Sequence, residues 1–91
     1  NATYLDTYAW ILFEKENYVQ ARLYIDQAMK SDEEKSAEVV EHCGDIYYMV
    51  NEVEQAVKYW QQALDMGSDS ETLKQKIKQR KYIREPKKKT K

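Results

Sequence analysis

Glycine, proline and cysteine are scarce in this chain of 91 residues, which contains two glycines, one proline and one cysteine. A fold rich in tight turns needs more glycine and proline than this, so the composition favours long helices with short connections. A single cysteine excludes an internal disulfide and gives no indication of the redox compartment. No apolar run approaches the roughly 18 residues of a membrane span. The chain starts without methionine, so the lack of a signal peptide is uninformative and no localisation is assigned.

The chain matches itself when it is displaced by 35 residues. In each unit, apolar residues spaced by three and four predict two helices. Breaks are predicted at Asn17 and Asn51, because asparagine tolerates the left-handed conformation that ends helices. Small residues align with small residues in the pairs Ala9 and Gly44, Ala21 and Ala56, and Ala28 and Ala63.

A fifth helix is predicted after the second unit. Gly67 suits the left-handed cap of the fourth helix, and Ser68 and Glu71 have the spacing of a capping box. Leu73 and Ile77 share one side of this mostly polar helix, which is typical of a helix that caps a repeat array. We therefore predict an all-α fold with units at 2–35 and 37–70, a capping helix at 69–84 and a basic disordered tail at 85–91.

Small and large residues follow in the same order in both units: Ala9, Leu12, Ala21, Ile25 and Ala28, and then Gly44, Tyr47, Ala56, Trp60 and Ala63. This order resembles the tetratricopeptide repeat (TPR) over residues 2–70. The resemblance implies a right-handed α-solenoid of two helix-turn-helix repeats followed by the capping helix. It also implies the C-terminal piece of a bacterial TPR-containing protein, with further repeats before Asn1. The usual proline near the end of each unit is absent.

Close packing of two helices requires small side chains where the helices cross. Ala9 and Gly44 are predicted at these crossings, and Tyr8, Tyr47 and Trp60 are predicted to fill the space between neighbouring helices. Because glycine weakens a helix, propensity alone predicts that Gly44→Ala is tolerated, or stabilising by about 0.5–1 kcal/mol.

The only histidine and the only cysteine, His42 and Cys43, are neighbours, and Asp45 follows them. A cysteine nucleophile needs a base within hydrogen-bond reach, but adjacent residues of a helix do not face each other. Cys43 lies on the predicted buried stripe, where cysteine behaves as a small hydrophobe. A zinc site needs about four ligands, and no phosphate loop or dinucleotide fingerprint is present. The sequence therefore predicts no enzymatic activity, no metal and no cofactor.

The resemblance implies a concave groove, lined by the first helix of each unit, that takes a peptide or helix of a partner protein. The residues placed in it are Asp6, Trp10, Phe13, Glu41, His42, Asp45, Tyr48 and Met49. The clamp of Lys, Asn and Arg that the family uses for peptide carboxylates is absent. An acidic groove with aromatic walls favours a partner with basic or aromatic residues, and the chain is predicted to be a non-catalytic scaffold for protein–protein interaction. The alternative is a solvated charged face, against which Trp10 and Phe13 count as exposed aromatics.

Charge is divided unequally along the chain. Residues 74–91 contain ten basic residues and one acid, a net charge of +9, whereas residues 1–73 contain five basic residues and fifteen acids, a net charge of −10. Three interpretations of the basic end are open. It binds nucleic acid or an anionic membrane as an electrostatic adaptor, it contacts the acidic groove of its own chain or of a second copy, or it is a solubilising tail. The acidic body opposes a phosphate backbone. The open N-terminal face also allows self-association.

Overall fold

The computed structural model describes residues 2–31 and 34–84, and these residues form five α-helices and no strand. The all-α prediction is confirmed. The bounds of the second helix pair lie 35 residues after those of the first, as the self-match of the sequence predicts. The predicted tail at 85–91 lies outside the described residues. The helices are α1 (Ala2–Glu14), α2 (Tyr18–Lys30), α3 (Ala37–Met49), α4 (Val53–Asp65) and α5 (Glu71–Gln79).

Left-handed residues follow α1, α3 and α4. Asn51 has a φ of 73° and Gly67 a φ of 110°, as predicted. In the first pair the left-handed residue is Glu16, with a φ of 64°, whereas Asn17 has a φ of −90° and precedes α2. The predicted break is therefore displaced by one residue. The short connections within each pair make the two helices antiparallel neighbours.

The fifth helix begins later and ends earlier than predicted. Its N-cap is Ser70, whose side chain accepts a hydrogen bond from the backbone N–H of Leu73 at 3.2 Å. Ser68, the predicted cap, accepts instead from the backbone N–H of Ser70 at 3.3 Å. The helix ends at Gln79 because Arg80 adopts the left-handed conformation, with a φ of 57°. The chain therefore changes direction before the predicted end at residue 84.

Small residues bring the helices of each pair together. The fully buried core includes Ile25 and Trp60, and α3 packs against both α1 and α2 while α5 packs against α4. Burial of these apolar side chains is the main stabilising contribution, at about 25 cal/mol for each Å² removed from water. Tyr8 differs from the prediction, because it remains 46% exposed. The buried alanines are Ala2, Ala9, Ala21, Ala28, Ala56 and Ala63.

Gly44 lies where α3 crosses α4, and the space above its Cα is filled. A Cβ atom added there would lie 2.5 Å from Cδ1 and 2.6 Å from Nε1 of Trp60, and 3.0 Å from the carbonyl oxygen of Ala56. The expectation that alanine is tolerated at this position is therefore wrong. Helix propensity describes the local backbone alone, whereas the indole of Trp60 determines how much room a side chain has.

We expect Gly44→Ala to lower the free energy of unfolding by about 1–3 kcal/mol, because overpacking displaces the Trp60 ring. Urea denaturation followed by circular dichroism measures the change. In a Trp60→Phe background the penalty should shrink, because the smaller phenyl ring lacks the Nε1 atom and can move more easily, and a double-mutant cycle isolates this coupling. A rise in stability on Gly44→Ala would instead show that helix propensity dominates.

Candidate functional site

Lys76 of α5 is buried, although lysine is almost never fully buried without a partner. It is 2% exposed. Its ammonium donates hydrogen bonds to Oδ1 of Asp45 at 2.7 Å and to Oε2 of Glu41 at 2.8 Å. Leu73, Lys76 and Ile77 share one side of α5 through spacings of three and four. Lys76 therefore lies on the same buried side of α5 as Leu73, and its ammonium lies between α5 and α3.

Asp45 is the buried centre of this arrangement. Its Oδ1 accepts from Nε1 of Trp60 at 2.9 Å as well as from Lys76. Burial raises the pKa of Asp45 to about 6, although the ammonium of Lys76 acts in the opposite direction. The same ammonium lies 5.8 Å from the ring centroid of Trp60 and 5.2 Å from that of Tyr82, within reach of cation–π attraction. Across residues 2–31 and 34–84, no buried side-chain nitrogen or oxygen lacks a hydrogen-bond partner.

A second acid–base pair joins α1 to α3. Nδ1 of His42 lies 2.9 Å from Oδ1 of Asp6, and the imidazole stacks on Trp10 with ring centroids 3.9 Å apart. Burial by itself would lower the pKa of His42. The hydrogen bond to Asp6 and its negative charge, with smaller contributions from two other carboxylates, outweigh burial and raise the pKa above its usual value. The pair therefore favours the imidazolium form of His42.

The acids of the two pairs, Asp6 and Glu41, occupy equivalent positions 35 residues apart, whereas the bases are displaced from equivalence by one residue. Asp6 and His42 are 36 residues apart, and Glu41 and Lys76 are 35 residues apart. In both, an acid on one helix pairs with a base on the corresponding helix that follows it, from α1 to α3 and from α3 to α5. We call this set of residues the acid–base ladder: Asp6, Glu41, His42, Asp45 and Lys76.

A cavity of about 290 Å³ lies beside the ladder, between α1, α3 and the segment that contains α5. Four carboxylates line it, against the two permanent cations Lys76 and Arg84. Arg84 lies 3.4 Å from Glu14, while the Glu38 side chain is 77% exposed and lies 3.9 Å from Nε2 of His42. We call this the acidic cavity. Its described lining consists of Trp10, Glu14, Glu38, Glu41, His42, Asp45, Lys76, Tyr82 and Arg84.

The eight residues predicted for the groove divide equally between the cavity and its surroundings. Trp10, Glu41, His42 and Asp45 line the acidic cavity, whereas Asp6, Phe13, Tyr48 and Met49 are not among the lining residues.

The four residues outside the cavity contribute to packing or to the ladder. Phe13 is buried and its ring contacts Tyr82 at a centroid distance of 5.4 Å, so the expectation of an exposed aromatic at this position is wrong. Tyr48 and Met49 are half-buried and pack against the core. Asp6 is buried in its pair with His42.

Five lining residues were missed by the sequence analysis: Glu14, Glu38, Lys76, Tyr82 and Arg84. Helical spacing could have found two of them, since Glu14 follows Trp10 by four residues and Glu38 precedes His42 by four. The other three come from the segment after the second helix pair. The repeat pattern does not specify where that segment lies.

Two residues of the basic end contact carboxylates that line the acidic cavity of their own chain: Lys76 pairs with Glu41 and Asp45, which were predicted for the groove, and Arg84 pairs with Glu14, which was not. This was one of the three interpretations of its charge. Lys74 lies 3.6 Å from Glu71, and Lys74, Lys78, Arg80 and Lys81 are all exposed. Lys76 in particular is not available to a phosphate group, because its ammonium is buried between two carboxylates.

Cys43 is fully buried and its thiol is free, as predicted for a small core residue. Burial raises the pKa of the thiol above its usual value, which disfavours the reactive thiolate. In the described part of the chain, no group of three or more His, Cys, Asp or Glu side chains has an arrangement that could hold a metal ion.

No protein-family model matches the chain, and no curated protein or solved structure is significantly similar to it. None of the helices among residues 2–31 and 34–84 has the length and apolar character needed to cross a membrane.

Proposed function

We propose that this chain is a helical-repeat interaction module of the tetratricopeptide type, which binds a basic segment of a partner protein at the acidic cavity. The observation that carries the proposal is that four carboxylates line a cavity formed by α1, α3 and the segment of α5, against Lys76, Arg84 and the imidazolium form of His42. Such a surface attracts basic segments and repels acidic ones. The chain itself contributes no catalytic step.

Lys76 supports this function, because it is an ammonium group held by the inner carboxylates Glu41 and Asp45. A basic side chain of a partner would therefore meet the outer carboxylates, Glu14 and Glu38. The exposed pair of Glu14 with Arg84 contributes only about 0–1 kcal/mol, as surface ion pairs do. A partner's guanidinium or ammonium can replace Arg84 there at little cost.

The test uses two labelled peptides of equal length, one rich in Arg, Lys and Tyr and one in which Glu replaces the basic residues. Fluorescence anisotropy should show binding of the basic peptide alone, with an affinity that falls as salt is added. NMR chemical-shift changes on binding should concentrate at the residues that line the acidic cavity. Glu38→Gln should weaken binding by about 1.4- to 5-fold, which corresponds to the roughly 0.2–1 kcal/mol of an exposed charge pair.

Glu54→Gln provides the matched control, because Glu54 is also an exposed glutamate of a first helical turn but lies on α4, outside the cavity lining. It should leave the affinity unchanged. Equal binding of the acidic peptide, equal effects of the two substitutions, or shift changes away from the cavity would each contradict the proposed function.

A further inference from the structure

The side of the first helix pair that faces away from α3 is apolar and aromatic. Tyr4, Tyr8 and Ile11 follow one another on α1 at spacings of four and three, and they are 76%, 46% and 48% exposed. At about 100° per residue they lie on the side of α1 opposite Asp6, which contacts α3. Tyr8 meets Tyr24 of α2 edge to face at a centroid distance of 4.7 Å, so the surface continues onto α2.

On α2, two glutamines flank Tyr24 at the same spacing and both are exposed. We call the combined surface the outer face: Tyr4, Tyr8, Ile11, Gln20, Tyr24 and Gln27. None of these residues is charged, although charged residues make up 34% of the chain. The centre of a protein–protein interface has this composition, with aromatic residues enriched and charged residues depleted.

In the second helix pair, the positions equivalent to Tyr4, Tyr8 and Ile11 are buried. Displacement by 35 residues takes Tyr4, Tyr8 and Ile11 to Val39, Cys43 and Ile46. All three of the latter are buried, and α3, which carries them, packs against α2 and α1 of the preceding pair as well as against its own partner α4. The stripe on α1 is therefore the counterpart of a surface that packs against a neighbouring helix.

Charge identifies the kind of neighbour that fits. Residues 1–73 carry a net charge of −10 and residues 74–91 one of +9, so two copies repel each other wherever the acidic surfaces of both meet. The outer face is an exception, because it places no carboxylate opposite a carboxylate. Its tyrosine hydroxyls and glutamine amides both donate and accept hydrogen bonds, so the face is complementary to itself, as a two-fold interface requires.

We propose that the outer face is the contact surface of a homodimer, in which α1 and α2 of one copy pack against α1 and α2 of a second copy. A whole tyrosine side chain buries on the order of 200 Å², so the six side chains offer on the order of 500 Å² per copy. Two copies reach about the 1,000 Å² in total at which specific interfaces begin. This area is at the low end for protein–protein interfaces, so a weak dimer is expected.

Sedimentation velocity of the full chain, from about 10 μM to about 1 mM, tests the proposal. The weight-average mass should rise toward that of a dimer over this range. Ile11→Glu should weaken association at least about tenfold, because it places two carboxylates in the apolar contact. Ile11→Lys should do the same, and an equimolar mixture of the two variants should associate again through opposite charges.

Met66→Glu is the matched control, since Met66 is 44% exposed at the end of α4, outside the outer face. It should leave the mass distribution unchanged, and circular dichroism should show that all three variants keep their helices. A wild-type chain that stays monomeric up to about 1 mM would overturn the proposal and leave the outer face to a helix of a different protein. Equal weakening by Met66→Glu and Ile11→Glu would overturn it too. None of the six residues lines the acidic cavity. A substitution in the outer face should therefore leave peptide binding unchanged, and a substitution in the acidic cavity should leave self-association unchanged.

Discussion

Replacing Lys76 with methionine should lower the free energy of unfolding by about 3–5 kcal/mol, as removal of one partner from a buried ion pair does. Methionine keeps much of the side-chain volume but leaves Glu41 and Asp45 without their cation. Urea denaturation at pH 8 measures the loss. Lys78→Met is the control on the same helix, because Lys78 is exposed, and it should change stability by less than about 0.5 kcal/mol.

The pH dependence of the Lys76→Met variant distinguishes lost pairing from lost packing. Burial raises the pKa of Asp45 above that of the unfolded chain, and removal of the Lys76 ammonium removes the charge that opposes this rise. Protonation of Asp45 therefore favours the folded state at low pH, and stability falls as pH rises through its folded pKa. The loss should be smaller at about pH 4.5 than at pH 8. A loss that is the same at both pH values would indicate a packing defect, and a loss below about 1 kcal/mol would contradict the buried pair.

Replacing Trp60 with alanine should lower the free energy of unfolding by about 3–5 kcal/mol, the usual range for a large aromatic in a core. Trp60 is fully buried, its ring fills the space above Gly44, and its N–H donates to Asp45. For a domain of this size the change shifts the melting temperature by about 4–8 °C for each kcal/mol. Differential scanning calorimetry gives the result directly.

Trp60→Phe provides a graded comparison if the alanine variant fails to fold. Phenylalanine keeps most of the apolar contact but lacks the indole N–H, so Asp45 retains Lys76 alone as a donor. The expected loss lies between those of the wild type and the alanine variant. Equal melting temperatures for the wild type and Trp60→Ala would mean that the indole does not occupy the core.

The helices could be predicted from the sequence because their signals are local and occur twice. The order of small and large residues repeats after 35 positions, and the bounds of both helix pairs follow that displacement. Trp60 and Cys43 are buried as the helical spacing predicts. The exact turn residues could not be predicted as well. Glu16 adopts the left-handed conformation, although the neighbouring Asn17 is the better candidate by residue type.

The site could be predicted only in part, because its contacts join positions that are far apart in sequence. Periodicity places Asp45 on α3 but does not reveal the lysine that follows it by 31 residues. A lysine in a mostly polar helix is expected to be exposed to solvent. Only the position of Lys76 between Leu73 and Ile77 indicates that it is buried. Likewise, Gly44 indicates a tight crossing, yet the indole atoms that exclude alanine belong to another helix.

The two ends of the acid–base ladder carry opposite charges. Along it, α1 contributes the acid Asp6, α3 contributes acids together with the base His42, and α5 contributes only the base Lys76. From residue 73 to residue 84 there is no acid at all. A further helix that extended the ladder beyond α5 would bring its base against another base. The charge pattern thus disfavours a further base-bearing helix against Lys76 of α5, while Asp6 on α1 favours a following helix that carries a base.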